Sequence, residues 1–455
     1  MTTISRIITF FLLFSILTFY LSDRFSVVAK EEICTACLAL EEKGFPPSYT
    51  KALCTLQTHH PAWRFTPLPI TKISREEHSE NPYDFSFVIA SETAVEERNL
   101  VPRGEAFLPY ADASLKTYDS GLYSASSETV AYFLDPRNFL SERGIFQFLD
   151  LRYVSETPAD SVRAALKNAP AYADLVFDGI LRAGEKTGVL PLYLAVLLYR
   201  EQGTEGNPLL WGNAGEVLSF YLQNHTQQDG ARQVLAPAGG VSDKDLAKLN
   251  HVYNPFHAGA TGTGYFAVLY AGARHAKSQG WCDLEAGLCG GAEKIQKEYL
   301  SRYQNTPYLQ KWNVDARSRT EAGQSRNFWG QYMQNITGAL TMGEDFYTVL
   351  QEAGLLDKVF HFLIPVYEAM PSDPAPDPAG GACPLTAQDE SAYSSHSALL
   401  PAEQFAVAEP AESQASPPVP TAPKHRAWGV GIACAAAAIF VWGRKKLPPK
   451  NFGGR

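Results

Sequence analysis

Apolar residues recur at helical spacing through the middle of the chain and predict a mainly α-helical fold. One predicted helix, residues 191–202, has the clearest ends, because Pro191 suits a first turn and Gly203 suits a stop. Its positions are apolar on nearly every side, which is typical of a helix buried in a core. The other predicted helices are 158–167, 171–184, 267–279, 292–303 and 346–356.

The residues before this helical region have a mixed pattern. A short helix is predicted at 34–43, a turn at 44–47 and a strand at 84–91. We therefore expect a small mixed α/β accessory portion at 30–124, followed by a helical domain at 125–371.

Both ends of the chain carry a short apolar segment. Residues 1–29 have the basic, apolar and small-residue zones of a secretory signal, with an uncleaved anchor as the alternative. Residues 427–443 carry Trp428 and Trp442 at their borders and precede a basic flank, which predicts a transmembrane helix with residues 444–455 in the cytoplasm. A buried Ala-rich helix is the alternative for that segment. With the membrane interpretation, most of the chain is extracytoplasmic and anchored to the cell membrane.

Composition changes sharply at residues 372–426, which are rich in Pro, Ala and Ser. Such a segment buries too little apolar area to offset the entropy of ordering, so an extended stalk is expected. The net charge of the whole chain is −9. That charge, without a dense basic stripe, argues against nucleic acid as a partner.

Seven cysteines fit an extracytoplasmic location. We expect a disulfide between Cys282 and Cys289, and one pair among Cys34, Cys37 and Cys54. The cysteines and histidines lack zinc-finger spacing, so no metal and no cofactor are predicted, and activity should persist in a chelator.

The residue singled out for chemistry is Glu201, at the C-terminal end of the predicted core helix. The apolar surroundings and the negative end of the helix dipole both disfavour an ionised carboxylate there. A carboxyl group that keeps its proton near neutral pH is suited to general acid catalysis. The alternative is a surface glutamate paired with Arg200 or with a lysine.

Three residues further along suggest a binding surface. Trp211 follows a Gly-rich loop and is either a platform for a sugar ring or an ordinary core residue. Tyr253 and Asn254 precede a run of small residues, and Asn254 is either a ligand of sugar hydroxyls or a turn former. The glycines after them do not imply phosphate binding, because the lysine of a phosphate-binding loop is absent.

Several motifs agree in order and spacing with one protein family. They are REQG at 200–203, YNPF at 253–256, YAGARHA at 270–276, GGAEKI at 290–295, QNTPYLQKWNV at 304–314 and QYMQNI at 331–336. On these motifs the chain resembles the glucosaminidase domain of bacterial cell-wall autolysins. Upstream, GFPPSY at 44–49 and TVAYFLDPRNFL at 129–140 resemble the N-terminal portion of clostridial members, and FLIPVY at 362–367 resembles their closing segment.

The resemblance implies a lysozyme-like fold and an endo-β-N-acetylglucosaminidase that cuts peptidoglycan glycan strands between N-acetylglucosamine and N-acetylmuramic acid. It places Glu201 on the family's catalytic glutamate and Tyr332 on its cleft tyrosine. Tyr253 and Asn254 fall on the substrate-contacting pair, and Gln331 stands beside Tyr332 as a further expected contact. The chain is then expected to face the cell wall.

Two alternatives to this function remain open. A non-catalytic wall-binding surface protein would keep the cleft without needing a buried acid, and a lytic transglycosylase would use the same glutamate but leave anhydro-sugar ends. The second catalytic group also remains open. Glu205 and Glu216 are candidates that are more simply read as solvated side chains, and the N-acetyl group of the substrate is another.

Overall fold

The computed structural model describes residues 37–70, 85–118, 121–156, 159–224, 241–261, 264–320, 323 and 326–380. Within these residues helices dominate, as predicted. Residues 37–42 are helical, in agreement with the helix predicted at 34–43. The helices that follow are α1 Pro47–His59, α2 Phe85–Thr93, α3 Ser127–Leu134, α4 Ala159–Ala165, α5 Ala173–Thr187, α6 Pro191–Gln202, α7 Pro208–Trp211, α8 Ala214–Asn224, α9 Asp243–Ala247, α10 Tyr265–Gln279, α11 Leu284–Glu298, α12 Pro307–Trp312 and α13 Gly338–Glu352. Short 3₁₀ turns lie at Glu105–Tyr110, Pro136–Phe139, Gly144–Phe148 and Leu300–Arg302.

Within the part of the chain that the structure describes, four strands form two small sheets. Strand β1, Arg64–Ile70, pairs in parallel with β4, His361–Tyr367, in the register Arg64 to His361. Strand β2, Leu100–Val101, pairs antiparallel with β3, Tyr123–Ser124. The first of these sheets joins the beginning and the end of the described chain.

The N-terminal portion shares its core with the helical region. Trp63 is fully buried, stacks on His60 and donates its indole N–H to the carbonyl of Leu356 at 2.8 Å. The Tyr49 hydroxyl donates to the carbonyl of Pro365 at 3.1 Å. Residues of both portions belong to one hydrophobic cluster, so the portion that the sequence predicts as an accessory packs into the same core as the helical region.

Helix α6 is the centre of this core and spans the predicted residues 191–202. Pro191 occupies its first turn, and ten of its twelve residues are buried, since they contact neighbouring helices on every side. Helices α4 and α5 pack against it, and α13 approaches it from another side. Its last turn carries Glu201 and ends at Gly203, whose φ of +63° favours glycine.

The predicted strand at 84–91 is wrong, because residues 85–91 belong to helix α2. Phe85, Phe87 and Ile89 alternate like a strand, but the buried side chains are Phe85, Val88 and Glu92. Spacings of three and four residues put one face of a helix against the core, and this burial decided the conformation.

The cysteine predictions have a divided outcome. Cys37 and Cys54 form a disulfide, as expected for a pair among the first three cysteines. The predicted Cys282–Cys289 disulfide is wrong, since both thiols are free. Cys282 is exposed ahead of α11, whereas Cys289 lies on the buried face of that helix, so the two side chains lie in different environments.

The residues just after β4 are fixed to the folded core. Arg137 is buried with Asp135, and its Nη2 lies 2.7 Å from Asp135 Oδ2. The same guanidinium donates to the carbonyls of Pro371 at 2.7 Å and Asp373 at 2.9 Å, while Asp135 Oδ2 accepts the N–H of Ala375 at 3.0 Å. The ordered chain therefore continues past the predicted start of the stalk at 372.

No helix among the residues that the structure describes is long and apolar enough to cross a bilayer. The predicted signal or anchor at 1–29, the transmembrane segment at 427–443 and the tail at 444–455 lie outside the described residues, as does the stalk beyond residue 380.

Candidate active site

The candidate site is built around the end of α6, where Glu201 is 8% exposed. The neighbouring Arg200 turns away and its Nε lies 2.5 Å from Asp345 Oδ2 in α13. Glu201 is therefore not the surface glutamate paired with Arg200 that the sequence left open. Its Oε2 instead lies 2.9 Å from Nδ1 of a buried histidine, His257.

His257 belongs to a turn that follows Tyr253. Its backbone has φ of +52°, and its N–H donates to the carbonyl of Asn254 at 3.0 Å. The Asn254 side chain is fully buried. Its Nδ2 donates to the carbonyls of Ala258 and Gly272 at 2.8 and 3.0 Å, and its Oδ1 accepts the N–H of Ala258 at 2.8 Å. These bonds occupy the amide, so the geometry favours Asn254 as a turn former rather than as a ligand of sugar hydroxyls.

Glycines let this turn lie close to its neighbours. A Cβ at Gly287 in α11 would lie 2.7 Å from the carbonyl oxygen of Tyr253, and one at Gly291 would lie 2.4 Å from the ring of Phe256. On the other side, a Cβ at Gly212 would lie 2.6 Å from Cζ of Tyr253. The partly exposed Tyr253 ring is therefore held in a fixed position between α11 and the residue after α7.

Trp211 lies at the end of α7 and is 38% exposed. Its ring meets Tyr172 nearly perpendicularly, with centroids 6.5 Å apart, and its indole N–H donates to the carbonyl of Glu205 at 3.2 Å. The Tyr172 hydroxyl in turn donates to the carbonyl of Gly203 at 2.6 Å. Trp211 is thus an oriented and accessible aromatic ring, connected through Tyr172 to the loop that follows Glu201.

Tyr332 lies close enough to Glu201 for the carboxylate charge to affect the pKa of the phenol. Burial is the main cause that raises the pKa of Tyr332 well above its ordinary value of 10, and the nearby Tyr193 and Glu201 raise it further. The Tyr332 backbone N–H donates to the carbonyl of Gln310, whose side chain accepts from the Tyr193 hydroxyl at 3.2 Å. The phenol therefore remains protonated at neutral pH and can donate a hydrogen bond.

Gln331 has a different environment from the one expected. Its Nε2 donates to Glu92 Oε1 at 2.7 Å and to the carbonyl of Trp312 at 3.1 Å. Its amide nitrogen is thus engaged with the protein, and the geometry favours a role in bracing the loop before Tyr332.

Glu205 and Glu216, the candidates for a second carboxylate, are both exposed, as expected for solvated side chains. Asp345 is held by Arg200. Among the described residues, no group of three or more His, Cys, Asp or Glu side chains is placed to hold a metal ion.

Sequence reasoning missed His257. The histidine stands in a run of turn-forming residues, and nothing in that run distinguishes it from an ordinary loop residue. The available signal is its position three residues after Asn254, within the motif that carries the family resemblance.

Comparison with known proteins supports this resemblance. No family model matches the chain. Over 200 residues it is 28% identical to the β-N-acetylglucosaminidase of Bacillus subtilis (strain 168), covering 43% of this chain and 19% of that protein. Over 156 residues it is 30% identical to the bifunctional autolysin of Staphylococcus epidermidis (strain ATCC 12228), covering 33% of this chain and 10% of that protein.

Among solved structures, glucosaminidase B of S. aureus has 19% sequence identity and a TM-score of 0.42, covering 67% of this chain and 94% of that one. The chain spans a fifth or less of the length of the two curated relatives. The predicted similarity to glucosaminidase-domain autolysins is confirmed by these sequence relatives.

Proposed function

We propose that this chain, which resembles the glucosaminidase-domain autolysins, is a peptidoglycan hydrolase that cleaves the β-1,4 bond between N-acetylglucosamine and N-acetylmuramic acid. The observation that carries the proposal is the carboxyl group of Glu201, buried at the end of α6 within hydrogen-bond distance of His257. The names of the two sequence relatives, β-N-acetylglucosaminidase and autolysin, support the same chemistry.

Glu201 acts as the general acid. In the first step the bond between the anomeric carbon and the glycosidic oxygen breaks, and the Glu201 proton moves to that oxygen as it leaves. In the second step the Glu201 carboxylate takes a proton from the water that attacks the anomeric carbon, which restores the acid. Burial beside apolar residues of α6 keeps bulk water from competing for this proton.

The N-acetyl group of the substrate supplies the second participant. Its carbonyl oxygen forms a bond to the anomeric carbon as the leaving oxygen departs, and water later breaks that bond. This route needs one protein acid, which fits the exposure of Glu205 and Glu216 and the pairing of Asp345 with Arg200. The neutral Tyr332 hydroxyl donates a hydrogen bond that stabilises charge developing on the substrate.

Aromatic side chains hold the glycan beside this acid. Trp211 offers a half-exposed ring fixed by Tyr172, and Tyr253 offers a second ring fixed by Gly212 and α11. Sugar rings pack their apolar faces on such surfaces. We assign these two residues to substrate binding in a lysozyme-like cleft.

Purified peptidoglycan digested with the full-length chain tests the proposal. We expect products with reducing N-acetylglucosamine ends from the wild type and from Glu216→Gln, an exposed matched control. Glu201→Gln should lower kcat by roughly 10²- to 10⁴-fold, the usual contribution of a general acid. Full activity of Glu201→Gln would overturn the assignment of the acid.

The products also separate the two alternatives. Anhydromuramyl ends would identify a lytic transglycosylase. Tight binding to peptidoglycan without products from any variant would identify a wall-binding protein.

We further propose that the enzyme faces the cell wall from the outer side of the membrane, held by the apolar segment at 427–443. The composition of that segment and its basic flank support this topology. Protease added to intact cells whose wall has been removed should digest residues 37–380 and spare a tag fused after residue 455. Protection of residues 37–380 would contradict the proposal.

A further inference from the structure

His257 lies between Glu201 and two side-chain amides in a buried part of the site. The side chain is 4% exposed. Its Nδ1 lies 2.9 Å from Glu201 Oε2, and its Nε2 lies 2.7 Å from Nδ2 of Asn207 and 3.3 Å from Nε2 of Gln202. The positions of the ring protons follow from the orientation of these two amides.

The Asn207 amide is oriented by the helix that it caps. Asn207 precedes α7, and its Oδ1 accepts the N–H of Leu209 at 2.9 Å. With the oxygen committed to the helix, the Nδ2 group must face the other way, toward the imidazole. The same Nδ2 also lies 3.3 Å from the carbonyl of Glu201.

The Gln202 amide is oriented in the same manner. Its Oε1 accepts the backbone N–H of Asn207 at 3.0 Å, and its Nε2 donates to the carbonyl of Pro255 at 2.6 Å. Two NH₂ groups therefore approach one imidazole nitrogen. A nitrogen approached by donors has to be an acceptor, so the ring proton resides on Nδ1. An imidazolium would bring three donors together in a buried place.

We propose that His257 is a positioning residue for the acid: a neutral imidazole that donates from Nδ1 to Oε2 of Glu201 and leaves Oε1 to carry the catalytic proton. This inference rests on the proposed function of Glu201. Because Nε2 faces two donors, it serves as a hydrogen-bond acceptor, and Nδ1 is the ring nitrogen that donates. Once Glu201 has given its proton away, the hydrogen bond from Nδ1 becomes charge-assisted and stronger, which favours the transfer.

The turn that holds His257 makes one substitution especially informative. In His257→Asn the side-chain Nδ2 can take the place of the ring Nδ1, and asparagine tolerates the φ of +52° better than most residues. His257→Ala removes the donor. With the full-length chain and solubilised glycan strands, we expect alanine to lower kcat roughly 10- to 100-fold with little change in KM. Asparagine should restore kcat to within about fivefold of wild type, since the donor to Oε2 is regained.

A change in Asn207 tests the direction of the hydrogen bonds while His257 and Glu201 stay intact. In Asn207→Asp one carboxylate oxygen still caps α7, but the other turns an acceptor toward Nε2 of His257. The ring proton then moves to Nε2, and kcat should fall at least about tenfold. Asn224→Asp adds the same charge at an exposed residue whose amide donates to the carbonyl of Phe220 at 2.8 Å, and it should leave kcat unchanged.

¹⁵N NMR spectroscopy of the protein labelled in its histidine rings determines the tautomer of His257 directly. The His257 signals are assigned by their absence from His257→Asn. We expect a neutral ring protonated on Nδ1 in the wild type and a ring protonated on Nε2 in Asn207→Asp.

A wild-type ring protonated on Nε2 overturns the inference, whatever the activity. So does wild-type kcat in a folded His257→Ala, or an equal loss of kcat in the alanine and asparagine variants. If the wild type releases no products from peptidoglycan, the proposed function fails, while the spectrum still decides the tautomer. If Glu201→Gln is inactive and His257→Ala is fully active, the proposed function stands and this inference alone fails.

Discussion

The ring of Tyr332 meets the ring of Tyr299 edge to face, with centroids 5.7 Å apart and planes at 88°. Tyr299 belongs to the buried core, whereas Tyr332 is partly exposed. This contact fixes the Tyr332 ring without using its hydroxyl. Desolvation by the surrounding protein, together with Tyr193 and Glu201, raises the pKa of that hydroxyl and keeps it protonated. The phenol is therefore a donor held in place for the site.

Tyr332→Phe should lower kcat by about 10- to 100-fold, because it removes one hydrogen bond that stabilises developing charge. KM and the melting temperature should change little, since the ring and its contact with Tyr299 remain. Steady-state kinetics with solubilised glycan strands provide the measurement. Tyr303→Phe, at a 42% exposed tyrosine, is the matched control. A Tyr332→Phe variant with wild-type kcat would refute the assigned role.

Trp211→Ala should weaken glycan binding by about 1–2 kcal/mol, since it removes an exposed aromatic surface. This corresponds to a rise in KM or Kd of roughly 5- to 30-fold with a smaller change in kcat. Phe220→Ala removes a similarly exposed ring from α8, at 54% exposure, and should leave binding unchanged. Calorimetric titration of Glu201→Gln, with and without each change, measures the affinity. Equal affinities in all variants would exclude Trp211 as a platform.

The free energy of unfolding should depend on pH, because the pKa values of the buried Glu92 and Lys311 are shifted in the folded chain. Burial raises the pKa of Glu92 from 4.5 to about 7. The folded chain then holds this proton more tightly than the unfolded chain, so the stabilising contribution is complete below pH 4.5 and is lost as the pH rises through 7. Glu92→Gln has no such titration. Between pH 4.5 and 7 the free energy of unfolding of the wild type should fall by about 1–3 kcal/mol relative to this variant.

Denaturant unfolding at several pH values checks that slope. Burial also lowers the pKa of Lys311 from 10.5 to about 7. The titration of Lys311 therefore changes the stability between pH 7 and 10.5, whereas the change between pH 4.5 and 7 comes from Glu92. Parallel curves for the wild type and Glu92→Gln would contradict the prediction.

Lys311→Met should destabilise the fold by about 3–5 kcal/mol, the usual effect of removing one partner of a buried ionic group. The Lys311 ammonium donates to Asn99 Oδ1 at 2.8 Å and to the carbonyl of Met333 at 3.1 Å, and both acceptors would lose this partner. The double variant with Glu92→Gln should lose less than the sum of the single losses. Strict additivity in a double-mutant cycle would show that the two residues act independently.

Arg137→Lys should cost about 2–4 kcal/mol of stability, because an ammonium cannot replace the forked contacts of the guanidinium with Asp135 and with the carbonyls of residues 371–373. Limited proteolysis should then cleave near residue 371 before the rest of the described chain. Arg182→Lys changes an exposed pair with Glu285 and should leave the stability unchanged, because solvent screens such a pair. Wild-type protection near residue 371 would contradict the prediction.

Local signals predicted some elements well and missed others for identifiable reasons. Helix α6 was predicted at both ends, because Pro191 and Gly203 mark them in the sequence itself. The first turns of α11 and α13 were missed because glycines weaken the helical pattern there. Close packing against residues distant in sequence leaves no room for a side chain in these helices. For example, a Cβ at Gly343 would lie 2.4 Å from the backbone nitrogen of Gln147.

The site divides in the same way. The burial of Glu201 followed from the apolar pattern of its own helix and was predictable. The role of His257 depends on how Asn207 and Gln202 point their amides, which only the folded chain defines. Gln331 donates to the buried Glu92. The burial of Glu92 could not be predicted, because the alternating pattern of residues 84–91 suggested a strand and not the helix that buries it.

The ion pair of Asp135 and Arg137 and its hydrogen bonds to residues 371–375 also decide where a pulling force on the C-terminal segment would first act. A force applied to the chain beyond Gly380 reaches the contacts of Arg137 and Asp135 with residues 371–375 before it reaches the paired strands β1 and β4. If the C-terminal segment anchors the chain as proposed, tension on that segment would act on this ion pair and its hydrogen bonds before it acts on the paired strands.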